Sequence, residues 1–246
     1  LSGATVWTFD QNGELRAECA VIAGDNINGV QMDEDGMLYF TNSRPRSVKP
    51  DGDWFWAAKT GRFSDPNDKS PGRVFTGTLI KSRGENVRVL LARSPVRLDP
   101  LPNRPPDLIA TDWPNAPWSK DNWAWVEGAE WLYAGASPII STGCRCPQLR
   151  IHTDWYKRTF TPEAYRHSVG VLDAGGNLIM HLGRYGNFDS GNGPKSNMPV
   201  DGGISFCGLR FIAGTDNYLV FEDYAERFAV LKINYHAEES APIKMK

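Results

Sequence analysis

Apolar and polar residues alternate along this chain in short runs, and the runs are punctuated by Asp and Gly. Val30-Gln31-Met32 leads into Asp33-Glu34-Asp35-Gly36 and then Met37-Leu38-Tyr39-Phe40-Thr41. The same order returns at Leu149-Arg150-Ile151-His152-Thr153-Asp154, through Arg158-Thr159-Phe160-Thr161, to Ser168-Val169-Gly170-Val171-Leu172-Asp173 and Gly176-Asn177-Leu178. A third copy runs through Leu209-Arg210-Phe211-Ile212, Asn217-Tyr218-Leu219-Val220-Phe221-Glu222-Asp223 and Phe228-Ala229-Val230-Leu231-Lys232-Ile233. A period of two puts successive side chains on opposite faces, so each run predicts a strand. Asp-x-x-Gly between two such runs predicts a hairpin turn. Repeated antiparallel hairpins on this scale predict an all-β fold, a β-propeller of about five or six four-stranded blades. The ring either closes within this chain or is part of a longer one.

The phase of the repeat adds detail. Thr5 to Ala20 is a hairpin around Asp10-Gln11-Asn12-Gly13 and matches Ser168 to Leu182, so the chain begins midway through a blade. Val30 to Asn42 opens the next blade, with Val74 to Ile80 and Val87 to Leu91 predicted to complete it. Trp123 to Gly128 and Trp131 to Ala136 read as a strand pair, and Ile204 to Asn234 as the last blade. We treat residues 1–246 as one propeller domain with two insertions, 43–72 and 94–121. The first is polar and carries Trp54-Phe55-Trp56. The second holds Pro95, Pro100, Pro102, Pro105, Pro106, Pro114 and Pro117, which forbid continuous helix or sheet. Segments of this length are functional or disordered.

Composition agrees with β structure: 24 Gly and 17 Pro punctuate the chain, and 9 Trp supply aromatic surface. The net charge of -2 is spread without a basic block, which gives no electrostatic footprint for nucleic acid. No apolar run approaches the roughly 18 residues that span a bilayer.

Candidate chemistry is sparse. There is no Gly-x-Ser-x-Gly elbow, phosphate-binding loop, His-Glu-x-x-His or haem-attachment motif. Cys144-x-Cys146 with His152 is a candidate zinc or copper set, since thiolate and imidazole suit those metals. Four cysteines, Cys19, Cys144, Cys146 and Cys207, equally allow disulfides and an oxidising compartment. Cys144 and Cys146 would point to one face of a strand, so any staple would reach Cys19 or Cys207. His152, Asp154, Glu222 and Asp223, with Asn42, are candidate ligands for a cation, calcium above all, at a channel mouth. Against this, Asp at such positions ordinarily builds turns. Trp54, Trp56, Trp118, Trp123 and Trp125 lie in or beside irregular segments and are candidate binding residues, because an indole stacks on a sugar face; the alternative is packing between loop and blade.

The run Arg158-Thr159-Phe160-Thr161-Pro162-Glu163, Ser168 to Asp173, Gly176-Asn177-Leu178-Ile179 and Leu182-Gly183-Arg184-Tyr185-Gly186-Asn187 resembles NHL-repeat propellers. With Gly143-Cys144-Arg145-Cys146 and the ending Val230 to Glu239, it is similar to the C-terminal region of large planctomycete-type bacterial proteins. The resemblance covers roughly the second half well. It implies a propeller in a secreted or envelope protein. NHL propellers are mostly binding platforms, and a few relatives are metal-dependent lyases or lactonases. Three functions stay open: a non-catalytic module contacting protein or glycan, a metal-dependent hydrolase or lyase, and a structural subunit whose first half blade is completed by another chain.

Overall fold

A computed structural model of the chain describes residues 4–23, 26–46, 74–91, 102–105, 107–109, 123–137, 139–140, 147–164, 166–186, 203–223 and 227–234. Every element among these described residues is a strand. The first six are β1 Ala4–Phe9, β2 Leu15–Ala23, β3 Asn26–Met32, β4 Leu38–Arg46, β5 Val74–Ser82 and β6 Val87–Leu91. Then come β7 Leu108–Ile109, β8 Trp123–Glu127, β9 Ala129–Tyr133, β10 Ile139–Ile140, β11 Pro147–Gln148, β12 His152–Thr153 and β13 Thr159–Glu163. The last are β14 Ser168–Leu172, β15 Leu178–Leu182, β16 Arg184–Tyr185, β17 Ser205–Phe206, β18 Leu209–Gly214, β19 Tyr218–Asp223 and β20 Phe228–Lys232.

The hairpins exist because one turn chemistry is used again and again. In the β3–β4 turn, Asp33 Oδ1 accepts the backbone N–H of Asp35 at 3.0 Å and of Met37 at 2.9 Å, while Gly36 sits at φ 76. Asp10 does the same for Asn12 and Glu14, with Gly13 at φ 83, and Asp173 for Gly175 and Asn177, with Gly176 at φ 82. The carboxylate satisfies donors that the turn frees, and glycine takes the left-handed position without steric cost. In the β12–β13 turn, Asp154 Oδ1 accepts from Arg158 N at 2.9 Å, but Lys157 occupies the left-handed position at φ 61.

Four antiparallel strands form the sheet β3-β4-β5-β9, and four more the sheet β12-β13-β14-β15. Three form β18-β19-β20, and a larger sheet runs β1-β2-β6-β8-β7 with β2 and β6 parallel. These sheets follow one another face to face. Along β4, Leu38 and Phe40 join a core with Ala20, Val21, Val87, Val89 and Val126 of the larger sheet, while Tyr39 faces the other way, into a core with Leu149, Ile151 and Leu172. Phe160, Val169 and Val171 then pack on Leu209, Ile212, Leu219 and Phe221 of the three-stranded sheet. Each buried Val, Leu, Ile or Phe among them stabilises the fold by about 1.5–3 kcal/mol. The first strands of three sheets also adjoin: a Cβ on Gly29 would lie 3.0 Å from Ile151 N, and Ile212 N donates to Arg150 O at 3.2 Å.

Two expected pairings are different. Val87 to Leu91 does not complete the sheet begun by β3, and β8 does not pair with β9. Instead β5 pairs with β9, and β6 with β8 in the larger sheet. The two partnered strands cross between sheets at one place, where Asn86 has φ 57 and Gly128 has φ 82. A Cβ on Gly128 would lie 2.9 Å from Asn86 O, so the crossing needs glycine there. Residues 43–46, counted in the first insertion, belong to β4.

Candidate functional site

The predicted site residues fall in separate places. Trp54, Trp56, Trp118, Cys144 and Cys146 lie outside the described residues, as does the side chain of Trp123. Trp125 is no surface residue: it is 2% exposed and its indole donates to Arg104 O at 3.2 Å. Its burial follows from β8 lying inside a sheet rather than in a loop. Cys19 and Cys207 form no disulfide in this structure, and their candidate partners Cys144 and Cys146 lie outside the described residues.

His152 and Asp154 belong to one sheet, Glu222 and Asp223 to another. His152 stacks on Phe160 with centroids 6.1 Å apart, and its ring fills the space a side chain at Gly214 would need. Burial lowers its pKa, partly opposed by Asp154 and Asp216, and its Nε2 has no hydrogen-bond partner. Asp154, buried, accepts from Arg158 Nε at 2.8 Å. Asp223, also buried, accepts from Arg227 Nε and from Cys207 N, each at 3.1 Å. Glu222 accepts from Arg210 Nε at 3.2 Å. Each carboxylate therefore already has a guanidinium beside it, which repels a cation and fills the lone pairs that would bind one. Among the described residues no three His, Cys, Asp or Glu side chains are grouped to hold a metal.

The densest polar cluster was not singled out in the sequence. Glu163, 2% exposed, ends β13. Tyr133 donates its hydroxyl to Oε1, Ser168 donates to Oε2 at 2.7 Å, and His181 Nδ1 lies 2.8 Å from Oε2. Arg166 Nε stands 3.7 Å away. A Cβ on Gly170 would come within 2.9 Å of Oε1, so glycine makes room for the carboxylate. Burial, and then the hydrogen bond to Glu163, push the Tyr133 phenol up and keep it protonated as a donor. The backbone reinforces the joint: Ser137 N donates to Pro162 O at 3.0 Å and Ala164 N to Ser137 O at 3.2 Å. Tyr133 comes from the neighbouring sheet, so Glu163 locks two sheets together. A carboxylate that orients an imidazole can serve a proton-transfer site, but here the same oxygens also hold a serine and a tyrosine.

The sheets thus have two unlike ends. At one lie the Asp turns, tied sheet to sheet by Lys157 with Asp35 and by Lys81 Nζ and Trp131 Nε1, which both donate to Ala174 O at 3.1 Å. At the other lie Glu163 and His167. The His167 ring meets Tyr185 edge-on at 4.7 Å, and its Nδ1 is 3.1 Å from Phe206 O; burial lowers its pKa. No family model matches the chain, and no curated protein is similar enough to count as a relative.

Proposed function

We propose that this chain is part of an NHL-like β-propeller that serves as a non-catalytic binding or assembly module of an extracellular or envelope protein, contacting a protein or glycan at the end opposite the Asp turns. Sheets buried on both faces, with adjoining first strands, support the radial arrangement. One observation carries the functional part: Asp154, Glu163, Glu222 and Asp223 are all engaged by arginine, histidine, hydroxyl or backbone donors. Such groups hold a scaffold and do not stand ready for substrate. The test is elemental analysis of purified protein together with melting in EDTA. We expect no stoichiometric metal and an unmoved transition. A bound metal whose removal lowers the melting temperature would overturn it in favour of a calcium- or zinc-dependent lactonase or lyase.

Assembly with another chain has its own support. The outer strand β20 exposes Phe228 at 78% and Val230 at 61%, and β1 exposes Trp7 and Phe9, whereas β14, the third strand of the sister sheet, is fully buried. Among the described residues β20 and β1 each pair on one side only, and apolar edges of this kind invite strand addition. Light scattering at rising concentration decides this: a constant monomer mass removes the assembly reading.

A further inference from the structure

The β12–β13 turn departs from its sisters at three consecutive positions. Where the other Asp turns carry Gln11-Asn12-Gly13, Glu34-Asp35-Gly36 and Ala174-Gly175-Gly176, this one carries Trp155-Tyr156-Lys157. Turn geometry does not ask for any of the three. Trp155 is 66% and Tyr156 60% exposed, and Lys157 adopts φ 61, a left-handed conformation that disfavours any side chain. Non-glycine residues held in this region are characteristic of functional sites.

The turn that carries the rings is nonetheless firmly anchored. Asp154 anchors the turn from inside through Arg158, and the Arg158 guanidinium lies 5.4 Å from the Tyr156 ring centre and 5.7 Å from that of Phe160. Lys157 reaches across to the neighbouring turn, pairing with Asp35 and lying 3.5 Å from Glu34. That places two amphipathic rings beside two carboxylates and an ammonium at the rim of the sheets.

We infer that this turn is a carbohydrate-binding site, taking a β-linked pyranoside chain whose flat C–H faces stack on Trp155 and Tyr156 while its hydroxyls meet Glu34, Asp35 and Lys157. The exposed rings suit the apolar faces of a sugar. Two rings at this exposure offer on the order of 250 Å² of aromatic surface. The mixed charge of the rim suits a neutral ligand rich in hydroxyls, which both donate and accept. This site is at the opposite end of the sheets from the one proposed above, and its test does not depend on that proposal.

The test is isothermal titration calorimetry of the full chain with cellohexaose, chitohexaose and, as the α-linked comparison, maltohexaose. At least one β-linked hexaose should bind, and Trp155→Ala should weaken it at least about tenfold with the melting temperature unchanged. Lys157→Gly should also weaken binding, since it removes the cation, while relief of the left-handed backbone offsets the lost pairing with Asp35 and leaves the melting temperature little changed. Absence of heat from both β-linked sugars, equal binding of maltohexaose, or affinity indifferent to Trp155→Ala would each overturn the inference.

Discussion

The two ends of the sheet β12-β13-β14-β15 are held by different kinds of bond. At the turn end, half-buried Asp173 answers donors two and four residues away. At the other end, Glu163 gathers Ser168 from 5 positions away, His181 from 18 and Tyr133 from 30. The first arrangement shapes a hairpin that any neighbouring sheet could use. The second fixes which sheet sits beside which, and it does so out of contact with solvent. The lesson is that the recurrent acidic residues of this chain are of two sorts, and burial rather than sequence position separates them.

Breaking the inner joint should cost most. Glu163→Ala strands a tyrosine, a serine and a histidine at once, and we expect a loss of about 3 kcal/mol in urea-induced unfolding. Asp154→Ala should lose about 2 kcal/mol, since it removes both a turn acceptor and the partner of Arg158. Asp173→Ala, which removes a less buried turn acceptor, should lose clearly less than Glu163→Ala in the same measurement; equal losses would contradict the distinction between the ends. Tyr133→Phe removes one donor and leaves Glu163 its other partners, so chemical denaturation should register about 1 kcal/mol. The smallest effect concerns protons. Burial lowers the pKa of His152 and His167 below the ordinary 6.5. Beneath that value the unfolded chain takes up protons that the folded chain refuses, so stability is full above it and falls as pH drops toward the folded values. Melting at about pH 5.5 should therefore lie below that at about pH 7.5, and His152→Gln with His167→Gln should narrow the gap.

Much of the local structure is written in the chain. Asp10, Asp33 and Asp173 announce their turns through a glycine three residues on, and the strands around them alternate visibly. What is not written is pairing at a distance. Nothing near Val87 says that β6 leaves the sheet of β5, because the reason lies at Gly128. Trp125 carries the same letter as an exposed tryptophan, and only the placement of β8 between β6 and β7 buries it. Glu163 gives no local sign either, since its partners are scattered over three other strands. The Trp155-Tyr156-Lys157 departure was open to comparison of aligned turns, but exposure of the rings was not.

The crossing at Asn86 and Gly128 sets the order in which the molecule can be built. The strands β5 and β6 await partners, β9 and β8, that lie beyond residue 122. Until those are made, neither the sheet begun by β3 nor the one begun by β1 is complete. Closing so long a loop carries an entropic cost before its contacts reward it, and such non-local pairing slows folding. The sheet β12-β13-β14-β15 instead adds each strand beside the one just made. The first half of this chain should therefore fold as a single late event, with two sheets gained or lost together, while the second half assembles strand by strand as it is synthesised.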